Sequence, residues 1–138
     1  MKKRKWVPYA VAWMCLVTVL SACAAREELR ETDRIIQISK PDGDRYKVYK
    51  EIRQPEKVAQ TEKLLQDTVK GLAVVSMSRE ADYQLTFMNT IPGSPYDKVV
   101  YEVWRAPKDD RVEVVSEPTG TYAQLDSEAS RSILRLVK

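Results

Sequence analysis

Histidine is absent from this chain of 138 residues, and cysteine occurs only at Cys15 and Cys23. The two scarcities remove the usual nucleophile–base pairs of covalent catalysis, which draw on histidine or a thiolate. They also remove the ligands that zinc and other soft metals prefer. Glycine is sparse as well. Gly43, Gly71, Gly93 and Gly120 stand alone, each beside a turn or helix-end signal, so no glycine-rich phosphate loop can be written. Among the serines there is neither a Gly-x-Ser-x-Gly elbow nor a Ser-x-x-Lys arrangement. An excess of one charge is lacking too. Basic residues number 23 and acidic ones 20, but four of the basic residues precede Trp6. No basic stripe remains downstream to serve nucleic acid. The sequence calls for no cofactor and no metal.

The start of the chain is where the pattern is informative. Lys2, Lys3, Arg4 and Lys5 are followed by an uncharged stretch from Trp6 to Ala25. A basic leader, an apolar run and then small residues is the order of an export signal. The run ends in Leu20-Ser21-Ala22-Cys23, which resembles the bacterial lipobox. Leu20 supplies the branched apolar position, and Ser21 and Ala22 leave the backbone open to a membrane peptidase. Cys23 supplies the sulfur that carries diacylglycerol, with its amine open to a further acyl chain. Cleavage before Cys23 removes residues 1–22 and leaves 116 residues, with 19 basic against 20 acidic side chains. Two acyl chains give stable anchoring where one does not. The competing reading is an uncleaved anchor helix, since about 20 apolar residues suffice to span a bilayer. Under either reading the basic leader stays inside, and the expected address of the rest is the outer face of the cytoplasmic membrane.

Residues 23–32 are short, polar and charge-rich, the composition of a solvated tether. One α+β domain is expected over 33–138. Ile35, Ile36 and Ile38 mark a strand over 33–39. Pro41-Asp42-Gly43-Asp44 marks a turn, and Tyr46, Val48 and Tyr49 a second strand over 45–52. Pro55 opens a helix that Gly71 closes, with an apolar stripe of Val58, Leu65, Val69 and Leu72 that Leu64 widens and Thr61 and Glu62 interrupt. A short strand is expected over 73–77. Tyr83, Leu85 and Phe87 alternate with Gln84, Thr86 and Met88 in a clearer one. Further strands are expected over 99–106, 111–116 and 122–125, with turns at 107–110 and 117–120. Asp126 or Ser127 caps a last helix in which Ala129, Ile133 and Leu136 share a face. The expected fold is a mostly antiparallel sheet of about five to six strands, packed against one amphipathic helix, with a C-terminal helix.

Binding is the chemistry left open. The loop 89–97 is long for a hairpin connection and holds Ile91 and Tyr96, which makes these two the candidate binding residues, since loops carry function disproportionately. Trp104 and Tyr101 read as strand packing rather than a ligand platform. Asp42 and Asp44 read as turn chemistry rather than a cation site. The segments RIIQISK, ADYQLTF, YEVWRA and YAQLDSEASRSILRLV, in this order behind a lipobox, resemble the YhfM-like small lipoproteins of Bacillus-type bacteria. That resemblance implies a lipidated Cys23 in a one-membrane envelope and brings no catalytic residue. The expected function is a non-enzymatic, membrane-anchored module that binds an envelope protein or polymer. A small-ligand sensor using the 89–97 loop is the alternative, and an enzyme working with carboxylates alone is a weaker one.

Overall fold

The computed structural model describes residues 33–71, 73–91, 98–108, 110–117 and 119–138. Alternation in the strands decides its architecture. Ile36 and Ile38 share a face of β1 (Arg34–Asp42), Leu85 and Phe87 of β3 (Tyr83–Asn89), Tyr101 and Val103 of β4 (Val99–Arg105), and Val112 and Val114 of β5 (Val112–Glu117). All eight side chains are buried in one cluster. With β2 (Arg45–Ile52) and β6 (Thr121–Gln124) they form a six-stranded antiparallel sheet in the order β2-β1-β3-β4-β5-β6. The helices α1 (Pro55–Thr68) and α2 (Ser127–Val137) add Val58, Leu65, Ile133 and Val137 to the same cluster. The protein is therefore an α+β fold with both helices on one face of its sheet.

The hairpin β1–β2 turns on Gly43, whose φ of 65° suits the first central position of a two-residue turn. Pro41 lies inside β1, yet β3 stops pairing at Ser39. The proline thus sits where β1 has β2 on one side only, a place that tolerates a missing N–H. A bulge opposite Ile38 and Ser39 leaves Tyr49 without a partner residue. It turns Tyr49 and Lys50 together toward α2, where the tyrosine hydroxyl donates to Val137 O and Lys50 Nζ donates to Leu136 O at 2.9 Å. Two of the carbonyls that every helix end leaves bare are thereby satisfied, one of them by a cation placed as the helix dipole favours. At the other end of α2, the Asp126 carboxylate accepts from the Glu128 and Ala129 N–H groups at 2.9 and 2.8 Å. Such a cap is worth about 1 kcal/mol.

Three expectations need correction. Helix α1 ends at Thr68, with Val69 as its cap, and does not run on to Gly71. The Val69 N–H still bonds to Leu65 O, but its ψ of 57° turns the chain out of the helix there, and Gly71 has no positive φ. Residues 73–77 are not a strand. They make one bridge, Val74 to Thr121, and then leave the edge of β6. Gly120 lets them come this close: its φ is 66°, and an added Cβ would lie 3.2 Å from Val74. Glu62 does not merely interrupt a stripe; it reaches the Arg34 guanidinium beneath α1. Leu72 lies outside the described residues.

The candidate site on the open sheet face

The side chains that point away from the helices form rows across the sheet. One row runs Glu51, Gln37, Thr86, Val100 and Glu117; the next runs Val48, Ser39, Gln84, Glu102, Val115 and Tyr122. This face is polar toward the β2 edge and apolar where the segment 73–82 crosses it. There Ala81, Trp104 and Val115 form a second, smaller cluster, with Tyr46, Met77 and Tyr122 packed around it.

Hydrogen bonds hold the crossing segment down. Trp104 Nε1 donates to Arg79 O, and the Tyr46 hydroxyl donates to Ala81 O, both at 3.0 Å. The Arg79 guanidinium meets the Asp82 carboxylate at 2.9 and 3.2 Å and also donates to Arg105 O. Asp82 in turn accepts the Arg105 N–H at 2.7 Å. Burial works to raise the pKa of Asp82, but the bonds from Arg79 and the Arg105 N–H outweigh it and hold the carboxyl below its ordinary value. Sequence inspection missed this strap. Its one legible signal was the spacing of Arg79 and Asp82, which suits an ion pair at three residues.

Between strap and sheet lies a groove of about 350 Å³, bounded by Tyr46, Met77, Glu80, Glu102, Trp104 and Val115. That volume is at the small end for a ligand pocket. Trp104 is only 2% exposed, so it forms packed floor rather than an offered ring. Glu102 is the chemically distinctive group. It accepts a long 3.4 Å bond from Gln84 and has no cationic partner among the described residues. Burial first, and then the nearby Glu117 carboxylate, push its pKa up. Other carboxylates of this face are better served: Glu51 accepts from Gln37 at 3.0 Å and from Arg53 at 2.7 Å, and Glu113 accepts from the Tyr122 hydroxyl at 3.0 Å. The groove can therefore receive a hydrogen-bond donor or a cation at Glu102.

Among the residues singled out in the sequence, Leu20, Ser21, Ala22, Cys23 and Tyr96 lie outside the described residues. Ile91 is 51% exposed, just beyond the end of β3. Strand β3 spans about 20 Å at ~3.3 Å per residue, and the groove is at its other end, beside Ala81. The structure does not bring Ile91 to the groove. Tyr101 is buried on the helix side, with its ring edge-on to Phe87 at 5.7 Å. Asp42 and Asp44 flank the hairpin turn, with Asp42 3.9 Å from Lys47. Among the described residues no group of three or more His, Cys, Asp and Glu assembles to hold a metal, and no helix is long and apolar enough to cross a membrane. No family model, no curated protein and no solved structure matches this chain.

Proposed function

We propose that the protein is an extracytoplasmic lipoprotein, held at the outer face of the cytoplasmic membrane through Cys23, whose domain binds an envelope protein or polymer without catalysis of its own. The observation that carries this reading is the order of basic leader, apolar run and Leu20-Ser21-Ala22-Cys23. The resemblance to the YhfM-like lipoproteins points the same way. The open face of the sheet, with its polar rows and its groove at Glu102, is the surface offered to the partner.

The test of the anchor is intact mass together with detergent partitioning, beside a Cys23→Ala variant. Wild type should lose residues 1–22, gain the mass of diacylglycerol and partition with membrane, whereas the variant should keep its full-length mass and gain no lipid, its uncleaved apolar stretch still able to hold it in the membrane. Retention of the full-length wild-type mass in the membrane fraction would sink the lipidation reading and leave an anchor helix in its place. The second reading, a small-ligand module, is favoured by one observation, the bounded groove beside Trp104. A ligand that binds only the folded state raises Tm with its concentration. Under this second reading a Glu102→Gln substitution should abolish that rise.

A further inference from the structure

On the helix side, α1 and α2 leave a groove between them of about 450 Å³. Leu64, Ile133 and Leu136 give it an apolar floor, and Lys57 and Arg135 stand on its rim with no acidic residue among its lining. Neither cation has a carboxylate within ion-pair distance among the described residues. Lys63 and Lys70, by contrast, share Asp67 at 2.8 Å each. An apolar floor under two unneutralised cations is complementary to an anionic amphiphile, whose head meets the rim while its carbon skeleton covers the leucines.

We propose that this groove docks the domain on anionic phospholipid of the bilayer, with the helix layer facing the membrane. The idea rests on the lipoprotein reading above, and the geometry of chain entry supports it. Arg34, next to the first described residue, pairs with Glu62 of α1, and Thr61 and Leu64 of the same helical turn line the groove. The domain is therefore entered beside the helix that forms one groove wall. Ten residue steps separate Asp33 from Cys23, a reach of at most about 36 Å. A site so close to its target needs little intrinsic affinity, because a short tether supplies an effective concentration of about millimolar. Each basic side chain near an anionic bilayer contributes about a five-fold gain in binding. The docked orientation leaves the open sheet face turned away from the membrane and accessible to a partner.

The test uses the processed lipoprotein in vesicles of phosphatidylcholine alone or with about one-third phosphatidylglycerol. A thiol introduced in the groove by Ser132→Cys and one introduced on the opposite face by Val48→Cys are followed by their rate of reaction with a water-soluble maleimide. The groove thiol should react several-fold more slowly on phosphatidylglycerol vesicles, and the Val48→Cys thiol should react at one rate on both. Lys57→Gln with Arg135→Gln, or high salt, should restore the fast rate. Equal rates for the groove thiol on both vesicles would overturn the proposal. So would equal protection by inorganic phosphate in solution, which would mark a free-anion site. Flotation with pure phosphatidylcholine vesicles reads the anchor separately. Should the protein not float there, the anchor reading alone fails, and the groove is then read with phosphatidylglycerol vesicles at about millimolar lipid: slowed reaction of the groove thiol supports the proposal, and an unchanged rate overturns it.

Discussion

The two faces of the sheet are written on the same strands, one residue apart, and they are finished in different ways. On the helix side Ile36, Phe87 and Val114 are fully buried, and the buried Ser130 is hydrogen-bonded in place. Its hydroxyl accepts the Val112 N–H at 3.0 Å and donates to Leu125 O at 3.3 Å, which fixes α2 to β5. On the open side Gln37, Gln84 and Glu102 stand half-exposed, and only a strap without regular structure covers Trp104. Stability accordingly resides on the helix side. Each fully buried large apolar side chain contributes about 1.5–3 kcal/mol, and nearly all of these lie under the helices. The open face is left to satisfy other demands.

The largest expected effect tests that division directly. Phe87→Ala should cost about 3–5 kcal/mol in urea denaturation, because it removes a ring from a close-packed site. Gln37→Ala, on the neighbouring strand of the other face, should cost no more than about 0.5 kcal/mol, as exposed substitutions do. Losses of similar size would show that the open face also carries the fold.

A smaller effect is expected from the Arg34–Glu62 ion pair beneath α1. The side chains of Arg34 and Glu62 are 15% and 18% exposed, and Arg34 Nε is buried without a hydrogen-bond partner. Glu62→Gln should cost about 2–3 kcal/mol, short of the ~3–5 kcal/mol seen when a fully buried pair loses one member. The double replacement Arg34→Met with Glu62→Leu should recover most of that loss, since an apolar pair of similar volume needs no desolvation. A double variant as unstable as the single one would mean that the pair specifies the seat of α1 rather than merely occupying it.

The helix side was also the more legible face in the sequence. Period-two alternation in residues 83–88 and the stripe through Val58 and Leu65 express a single demand, burial, and burial leaves a pattern. The cap at Asp126 and the turn at Gly43 are local chemistry, readable from neighbouring residues. What escaped reading depends on distant partners. Glu62 reads as a flaw in an apolar stripe, and the partner that explains it, Arg34, lies 28 residues earlier. Residues 73–77 have the β-branched composition of a strand, yet β6 offers them one bridge before they turn across the face to cover Trp104. The groove at Glu102 needs residues from β2, β4, β5 and the strap at once. No window along the chain contains that combination, and none could have indicated it.

The finest test concerns that carboxylate. Glu102 and Glu117 are diagonal neighbours on the open face of adjacent strands, and burial together with this repulsion raises the pKa of Glu102. The folded state thus holds its proton more tightly than the unfolded chain does. Ionisation of Glu102 consequently costs stability, and the cost develops as pH rises from the ordinary carboxylate range through the raised value. Glu102→Gln removes the charge while keeping the shape and the contact with Gln84. At about pH 7 it should stabilise the domain by roughly 0.2–1 kcal/mol, the range for a cross-strand pair, or a rise in Tm of about 1–6 °C. At about pH 3, where the wild-type carboxyl is protonated in both states, the gain should vanish. A gain that persists in acid would mean that shape rather than charge is at issue. A loss at neutral pH would mean that the carboxylate holds the groove together rather than waiting in it for a partner.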